Sequence, residues 1–406
     1  MNITIFAISK EKVNFFIRVA NGFDKKNKIT FITTRYSSYK LLKQSNFNVY
    51  ILQDLIEKNN DIEQYEYLFS DAVKMDVVID ILTQDDAKKQ FDYIVNGFDS
   101  YFSSNQVDKF ILWNGSMMQG FIASHIADLY NVNKLYFEVG NFPNKLFIDN
   151  EGVNAKSSLM HKDLSICDNF DKNKLDLFLV EHKKVKEDMH IVPQAKKKAP
   201  NYDIVVDMLY NIFSKYPITE YKNIFYKLKD KYSKKIDIIY DKNIDINNIN
   251  YIFLPLQVST DSQIIRNSET NLINAIKYAI SEAKKNNLAL IIKPHPSENN
   301  EEINNLIYSE KKKFSNLFLV NVNTYQLIKY SQKVITINST VGIESLMYYK
   351  HTEILGNAFY KKYCTPNICD KIDHHIIDRF LFNYLFNVLE DGCFFDNSST
   401  ININHS

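Results

Sequence analysis

Glycine is scarce, nine residues in 406. Neither a Gly-x-Gly-x-x-Gly nor a Gly-x-x-x-x-Gly-Lys-Ser/Thr segment occurs, so the usual dinucleotide fold and the P-loop ATPases lose support. No Asp-x-Asp segment is present either, so one common carboxylate pair for a metal-bound diphosphate is missing. The four cysteines, Cys167, Cys364, Cys369 and Cys393, lack zinc-knuckle spacing and read as reduced thiols of a cytosolic protein. A metal held by Cys364 and Cys369 with His374 and His375 is a minor alternative, because that spacing is wrong for zinc. Charge of one sign is missing too: the net charge is +1, so no global field draws the chain to nucleic acid. No stretch approaches the roughly 18 apolar residues a membrane-spanning helix needs. The N-terminal MNITIFAISKEK is too short in its apolar part for a signal peptide and reads as a first strand. The expectation is a soluble or peripheral protein.

What is abundant is core-forming residues. At 45% hydrophobic and 14% aromatic, 406 residues suffice for two domains. ITIFAIS, KITFITT, FNVYILQ, KFILWNG and KLYFEVG read as strands, and MQGFIASHIADLY between the last two reads as a helix. Such alternation implies a parallel sheet covered by helices. Residues 157–245 break the rhythm with Lys-rich helical runs. A second α/β half runs from YIFLPLQ to HTEILG, and DKIDHHIIDRFLFNYLFNVLEDG follows as a long amphipathic helix. The expected organisation is an N-terminal Rossmann-like domain over 1–156 and a helical connector over 157–245. A C-terminal Rossmann-like domain over 246–370 and a closing helix with a polar tail over 371–406 complete it. Two doubly wound α/β domains facing a cleft are the GT-B-type architecture, an analogy at the level of fold.

Three polar segments stand where strands should end: Gln257-Val-Ser-Thr-Asp261, Lys293-Pro-His295-Pro296 and Asn338-Ser339-Thr340-Val-Gly342-Ile-Glu344. In an open α/β sheet the ligand crevice lies beyond the carboxyl ends of the strands, so the three describe one wall of one site. The prolines fix the backbone around His295, and Lys293 adds a positive charge, which suits a phosphate ester. Ser339 and Thr340 precede a helix expected over 341–349, whose N–H groups would favour an anion. As ordinary structure they are N-caps. Gly342 would let a ligand approach, and Glu344 would accept from ribose hydroxyls or else be an exposed helix glutamate. Asp261 is placed to act as a nucleophile or base; alone, it reads as an N-cap or Asx-turn residue. Glu138, in Tyr136-Phe-Glu138-Val-Gly140, ends a first-domain strand and pairs with Asp261 as the second carboxylate of a glycosyl transfer. A Lys, a His and a helix N-terminus can stabilise a departing monophosphate without metal, which favours a CMP-linked donor over a UDP-linked one.

The order of these segments resembles the capsule polysaccharide biosynthesis proteins, in particular the KpsS-like β-Kdo transferases. The resemblance rests on FILWNGSMMQGFIASHIADLYNVNKLYFEVG, LFIDNEGVNAKSSL, PLQVSTDSQI, IIKPHP and TINSTVGIESLMYYKHTEILGNAFY. It implies retaining transfer of 3-deoxy-D-manno-octulosonic acid (Kdo) from CMP-Kdo, with no cofactor, to a lyso-phosphatidylglycerol or glycolipid acceptor. The setting it implies is cytoplasmic, peripheral on the inner face of the inner membrane, with other capsule synthesis and export proteins as partners. Carried across by position, Gln257 and Asp261 form the catalytic segment with Asp261 as nucleophile. Lys293, His295, Pro296, Asn338, Ser339, Thr340, Gly342 and Glu344 face CMP, and Glu138 is the acid/base or acceptor-side group. Family members often place an aromatic residue and Arg-Pro after that glycine. This chain reads Asn141-Phe-Pro-Asn-Lys145, so Lys145 stands in for the arginine. The basic residues Lys183, Lys184, Lys186, Lys196, Lys197 and Lys198 would lie against anionic lipid, or else form a solvated face. The competing readings are a CMP-sialic-acid-dependent sialyl- or polysialyltransferase, a CDP-linked glycerophosphotransferase, and a non-catalytic capsule assembly subunit.

Overall fold

The structure, a computed structural model, describes residues 1–57, 61–188, 202–219, 238–242, 244–298, 300–395 and 401. The chain opens with β1 (Asn2–Phe6), α1 (Lys10–Asn21), β2 (Lys28–Thr33), α2 (Tyr36–Gln44) and β3 (Asn48–Ile51). There follow α3 (Phe69–Val78), α4 (Gln84–Ser104), β4 (Lys109–Trp113), α5 (Met118–Leu129), β5 (Asn133–Val139) and β6 (Lys145–Asp149). Two helices, α6 (Lys172–Asp188) and α7 (Tyr202–Phe213), precede the second sheet. That half comprises β7 (Tyr251–Pro255), α8 (Ser262–Asn267), α9 (Leu272–Lys285), β8 (Ala289–Lys293), α10 (Glu301–Lys313), β9 (Leu317–Leu319), α11 (Thr324–Tyr330), β10 (Lys333–Thr336), α12 (Val341–Met347) and β11 (His351–Ile354). Last come α13 (His374–Asn383), a π-helical turn over Tyr384–Val388, and β12 (Glu390–Asp391).

The chain divides into two compact units. One holds the described residues of Met1–Ser158, 195–232 and Leu389–Ser406. The other holds those of Leu159–Gln194 and Ser233–Val388. In the first unit the strands are ordered β12-β6-β5-β4-β1-β2-β3, and β1 to β5 pair in parallel. In the second the order is β11-β10-β7-β8-β9, parallel throughout. Taken from each unit's first strand, both sheets run 3-2-1-4-5, the doubly wound Rossmann order. The chain is therefore of the α/β class with two Rossmann-like units, the pair that a GT-B-type reading expects.

Composition explains why these strands are buried on both faces. β7 reads Tyr-Ile-Phe-Leu-Pro and every residue of it is buried, as helices on either side of a parallel sheet require. Ile252, Leu254, Leu290, Ile292 and Ile335 pack against α9 and α10 on one face, through Ile276, Ala279 and Ile303. Tyr251, Phe253 and Ile291 pack on Leu327 and Ile328 of α11 on the other. In the first unit Phe15, Phe16 and Phe137 form edge-to-face pairs beneath Trp113.

Two features differ from the sequence-based expectation. The Lys-rich stretch forms no third body among the described residues, because α6 groups with the second unit and α7 with the first. The C-terminal helix is also shorter than its apolar run: α13 stops at Asn383, and the chain returns to the first unit as β12, antiparallel to β6.

Candidate functional site

In a sheet of order 3-2-1-4-5 the switch point lies between the first and fourth strands in space where the winding reverses, which the strand-end segments of β7 and β10 flank in the second unit. Ligands in such sheets bind in the crevice at the carboxyl ends of the strands. Gln257 follows β7, and Asn338 follows β10. The Gln257 Oε1 accepts from the Asn338 N–H at 3.2 Å and the Thr336 hydroxyl at 3.4 Å, while Nε2 donates to Asn338 Oδ1 at 3.1 Å. Asn338 Nδ2 in turn donates to the carbonyls of Gln263 (2.8 Å) and Asn267 (3.3 Å). With exposures of 7% and 8%, these two amides close on one another and clamp the strand ends. These contacts give Gln257 and Asn338 a positioning role at the strand ends.

Asp261 lies on the loop leaving β7. It caps α8, its Oδ1 accepting from Gln263 N at 2.8 Å. The ordinary N-cap reading is therefore correct for one oxygen, while among the described residues Oδ2 accepts no hydrogen bond. The carboxylate is half-buried and close enough to His295 to raise the imidazole pKa, against a stronger lowering by burial; Glu298 also raises it, and Lys293 lowers it. The net shift is downward, so His295 is predominantly neutral near pH 7. Its Nδ1 accepts from Ser297 N at 3.1 Å, which fixes the tautomer and leaves the Nε2–H as a donor. Pro296 is exposed at the turn closed by the Glu298 N–H on the His295 carbonyl, 2.9 Å.

Lys293 ends β8 half-buried, its ammonium donating to Thr324 Oγ1 at 2.8 Å. Burial lowers its pKa, and Glu344 works against that. Glu344 itself is not an ordinary exposed helix glutamate. Burial raises its pKa, opposed by a hydrogen bond from the Tyr325 hydroxyl at 3.1 Å and by the charges of Lys186 and Lys293. Tyr325 also meets His182 Nε2 at 3.1 Å. Burial and the nearby Lys186 and Lys183 push the His182 pKa down to about 4, so that imidazole is neutral.

The Ser339–Thr340 turn departs from expectation. The helix behind it, α12, ends at Met347, and its first amides are already engaged. Val341 N donates to Ser339 Oγ (3.3 Å), Gly342 N to the Ser339 carbonyl (3.0 Å) and Ile343 N to the Thr340 carbonyl (2.9 Å). The N–H groups of Ser339 and Thr340 themselves, just before the helix, have no acceptor among the described residues. Thr340 is exposed and makes no side-chain cap. Gly342 packs closely on protein. A Cβ there would meet Tyr360 Cε2 at 2.5 Å and its hydroxyl at 2.7 Å, and that hydroxyl donates to the Ser339 carbonyl.

Lys183, Lys184 and Lys186 lie on α6, whose end is fastened to the second unit. Glu187 bridges Lys329 at 2.7 Å and accepts from Tyr348 at 2.6 Å, and the Lys186 carbonyl accepts from Asn323 at 2.9 Å. Lys183 is half-buried over the Tyr348 ring, 4.6 Å from its centroid, with its pKa lowered by burial. Lys186 acts on Glu344. Of these three only Lys184 is exposed. Lys196, Lys197 and Lys198 lie outside the described residues.

Glu138 and Lys145 belong to the first unit. Glu138 lies near the end of β5, where Oε2 accepts from Asn114 Nδ2 at 2.7 Å and Oε1 from Val139 N at 2.9 Å. Lys145, expected to stand in for the arginine, opens β6. Its ammonium is paired with Asp391 at 2.7 Å and holds β12 beside β6.

Sequence reasoning missed Glu298, which accepts from both the amide and the hydroxyl of Ser259 and from Asn300 N at 3.0 Å. It ties the Asp261 loop to the His295 turn. An acid three residues after His295 at a turn was the available signal.

Residues 108–364 match the family described as capsule polysaccharide biosynthesis protein. Among curated proteins, the capsule polysaccharide export protein KpsS of Escherichia coli is 32% identical over 119 residues, covering 27% of this chain and 31% of that protein. Protein FixF of Sinorhizobium fredii is 33% identical over 113 residues, 27% of each chain. The matches thus span about a third of these relatives' length or less. Among solved structures, the Thermosulfurimonas dismutans KpsC beta Kdo 2,7 transferase aligns over 94% of this chain and 90% of that one, at 13% identity and a TM-score of 0.45. The family match covers well over half of the sequence, including the Glu138 strand and all three strand-end segments: the chain belongs to the capsule polysaccharide biosynthesis protein family.

Proposed function

We propose that the chain is a retaining glycosyltransferase that moves Kdo from CMP-Kdo to a lyso-phosphatidylglycerol or glycolipid acceptor during capsule synthesis. The observation that carries this reading is that Asp261, capping α8 through Oδ1 alone, and His295, with Nδ1 engaged by Ser297 N, follow the adjacent parallel strands β7 and β8 of a Rossmann-like unit. The phosphate of CMP would accept from His295 Nε2–H, the Lys293 ammonium, the Thr340 hydroxyl and the amides of Ser339 and Thr340. Glu344, with Tyr325 behind it, would accept from ribose hydroxyls. No metal is needed to carry a departing monophosphate across such a set of donors.

Retention follows from two displacements. The free Oδ2 of Asp261 attacks the anomeric carbon of Kdo, and the bond to the phosphate oxygen breaks with its electron pair leaving on CMP. The acceptor hydroxyl then attacks the same carbon, the aspartyl ester bond breaks, and the Asp261 carboxylate is regenerated. The acceptor hydroxyl gives up its proton to a general base, the role that the family resemblance assigns to Glu138. The setting proposed is the inner face of the inner membrane, where the acceptor lies.

A transfer assay with CMP-Kdo generated in situ and a fluorescent lyso-phosphatidylglycerol tests this. The expected product is heavier by one or more Kdo units, is lost in Asp261→Ala, and is accompanied by a Kdo adduct in the intact mass of the protein. Transfer from CMP-sialic acid instead would move the assignment to the sialyltransferases. Transfer that survives Asp261→Ala would sink the double displacement.

A further inference from the structure

Three helices of the second unit contribute to one line of polar side chains. Glu344 stands in the first turn of α12, and its Oε1 accepts from the Tyr325 hydroxyl at 3.1 Å. Tyr325, on α11, is 7% exposed, and its oxygen meets Nε2 of His182, on α6, at 3.1 Å. A tyrosine has one hydroxyl hydrogen. With that hydrogen given to Glu344, the contact with His182 is a hydrogen bond only if Nε2 supplies its own. The imidazole, neutral because burial pushes its pKa down to about 4, is therefore the Nε2–H tautomer. Donation runs from His182 to Tyr325 to Glu344. Asn323 caps α11 by accepting from Tyr325 N at 2.8 Å, and it donates to the Lys186 carbonyl at 2.9 Å, which fixes α6 against α11. Phe178 stacks on the His182 ring, with centroids 5.5 Å apart. Glu344 is partly exposed, and among the described residues nothing donates to its Oε2. A carboxylate drawn largely out of water with one oxygen left without a donor is costly to the fold. Beside a strand-end crevice, such a group marks a binding site.

We infer that Tyr325 and His182 are positioning residues for nucleotide recognition, holding Glu344 so that its Oε2 takes the 2′-hydroxyl of the bound ribose. The inference rests on the proposed function for its nucleotide and deepens it, because it makes the site selective for ribonucleotides over 2′-deoxyribonucleotides. An ionised carboxylate only accepts, so a sugar hydroxyl is a fitting partner and a bare C2′ is not. The bond is strong only while Glu344 carries its charge. Burial raises the Glu344 pKa, opposed by the Tyr325 hydrogen bond and by the charges of Lys186 on α6 and Lys293 at the end of β8. Tyr348 and Tyr360 lie within the carboxylate's field, and burial above all keeps both phenols protonated. His182 adds no charge near pH 7. Its part is to keep the tyrosine hydrogen on Glu344: in the other tautomer Nε2 would compete for that hydrogen, and the carboxylate would lose its donor.

The test is titration calorimetry of the full chain with CMP, UMP and their 2′-deoxy forms. The unaltered protein is compared with Tyr325→Phe, His182→Phe and His182→Gln, and circular dichroism checks that each variant is folded. The unaltered protein should bind CMP about tenfold to a hundredfold more tightly than 2′-deoxy-CMP. Tyr325→Phe should erase most of that preference. It should also move the acid side of the CMP binding profile to higher pH, because the charged form of Glu344 loses a donor. His182→Gln, which keeps an N–H donor, should retain the preference that His182→Phe loses; a role in packing alone would not separate these two. Equal binding of CMP and 2′-deoxy-CMP by the unaltered protein, or an unchanged preference in folded Tyr325→Phe, would overturn the inference and leave the transferase reading standing. A 2′-hydroxyl preference that Tyr325→Phe erases with UMP, in a protein that does not bind CMP, would support the inference and sink the CMP donor. A preference for CMP over UMP that Tyr325→Phe erases, with no effect of the 2′-hydroxyl, would overturn the inference in favour of a carboxylate that reads the base amine.

Discussion

Gly342→Ala separates a glycine kept for the protein from one kept for a ligand. The new Cβ would sit 2.5 Å and 2.7 Å from the ring and hydroxyl of Tyr360 and 2.9 Å from Ile354 Cδ1. Tyr360 is buried at 3% exposure and hydrogen-bonded to the Ser339 carbonyl, so it cannot yield freely. Overpacking of this kind costs about 1–3 kcal/mol. Losing the tyrosine's hydrogen bond adds about 1 kcal/mol, and alanine's better helix propensity returns up to about 1 kcal/mol. The expected net loss is about 1–3 kcal/mol, read as a lower urea midpoint with an unchanged slope. Tyr360→Ala is itself destabilising, but in that background the glycine substitution should cost far less, a coupling of at least about 1 kcal/mol. Wild-type stability in Gly342→Ala combined with lost CMP binding would refute this reasoning and return the glycine to the ligand. An equal cost in both backgrounds would refute it too.

Glu298→Ala should lower kcat by about tenfold or more while leaving CMP affinity within about twofold, because it frees the Ser259 loop that carries Asp261; steady-state kinetics at saturating acceptor checks this. His182 gives a pH dependence with a definite sign. Its folded pKa is about 4 against 6.5 unfolded, so its contribution is intact above pH 6.5 and is lost as pH falls toward 4. The loss approaches about 3 kcal/mol. Urea unfolding of the protein and of His182→Phe across that range should show a steeper decline in the former.

Much of the second unit was legible because its strands are continuous apolar runs broken by polar segments at their ends, as with YIFLPL before Gln257 and KVITI before Asn338. Spacing alone placed Asp261, Lys293 and His295 at one sheet edge. It did not show how each side chain is spent. Gln257 and Asn338 read as chemistry because amides at strand ends look alike whether they bind ligand or clamp backbone. Lys145 and Lys183 read as available cations, because the partners that hold them, Asp391 and Tyr348, are remote in sequence. Tyr360 went unnoticed beside Gly342 because a ring packed against a glycine eighteen positions away leaves no local pattern. The antiparallel return of β12 was invisible, since a strand of two residues carries no periodicity. In α7 the apolar period was plain, but which face it serves depends on Asp207 finding Ser37, a contact across 170 positions.

The central claim is that the strand-end crevice of the second unit binds a cytidine monophosphate. Titration calorimetry of CMP against the protein and against His295→Ala tests it most directly. Saturable binding of CMP is predicted, with affinity falling about tenfold to a hundredfold when the Nε2–H donor is removed. No binding of CMP, or equal binding by a folded His295→Ala, would contradict it.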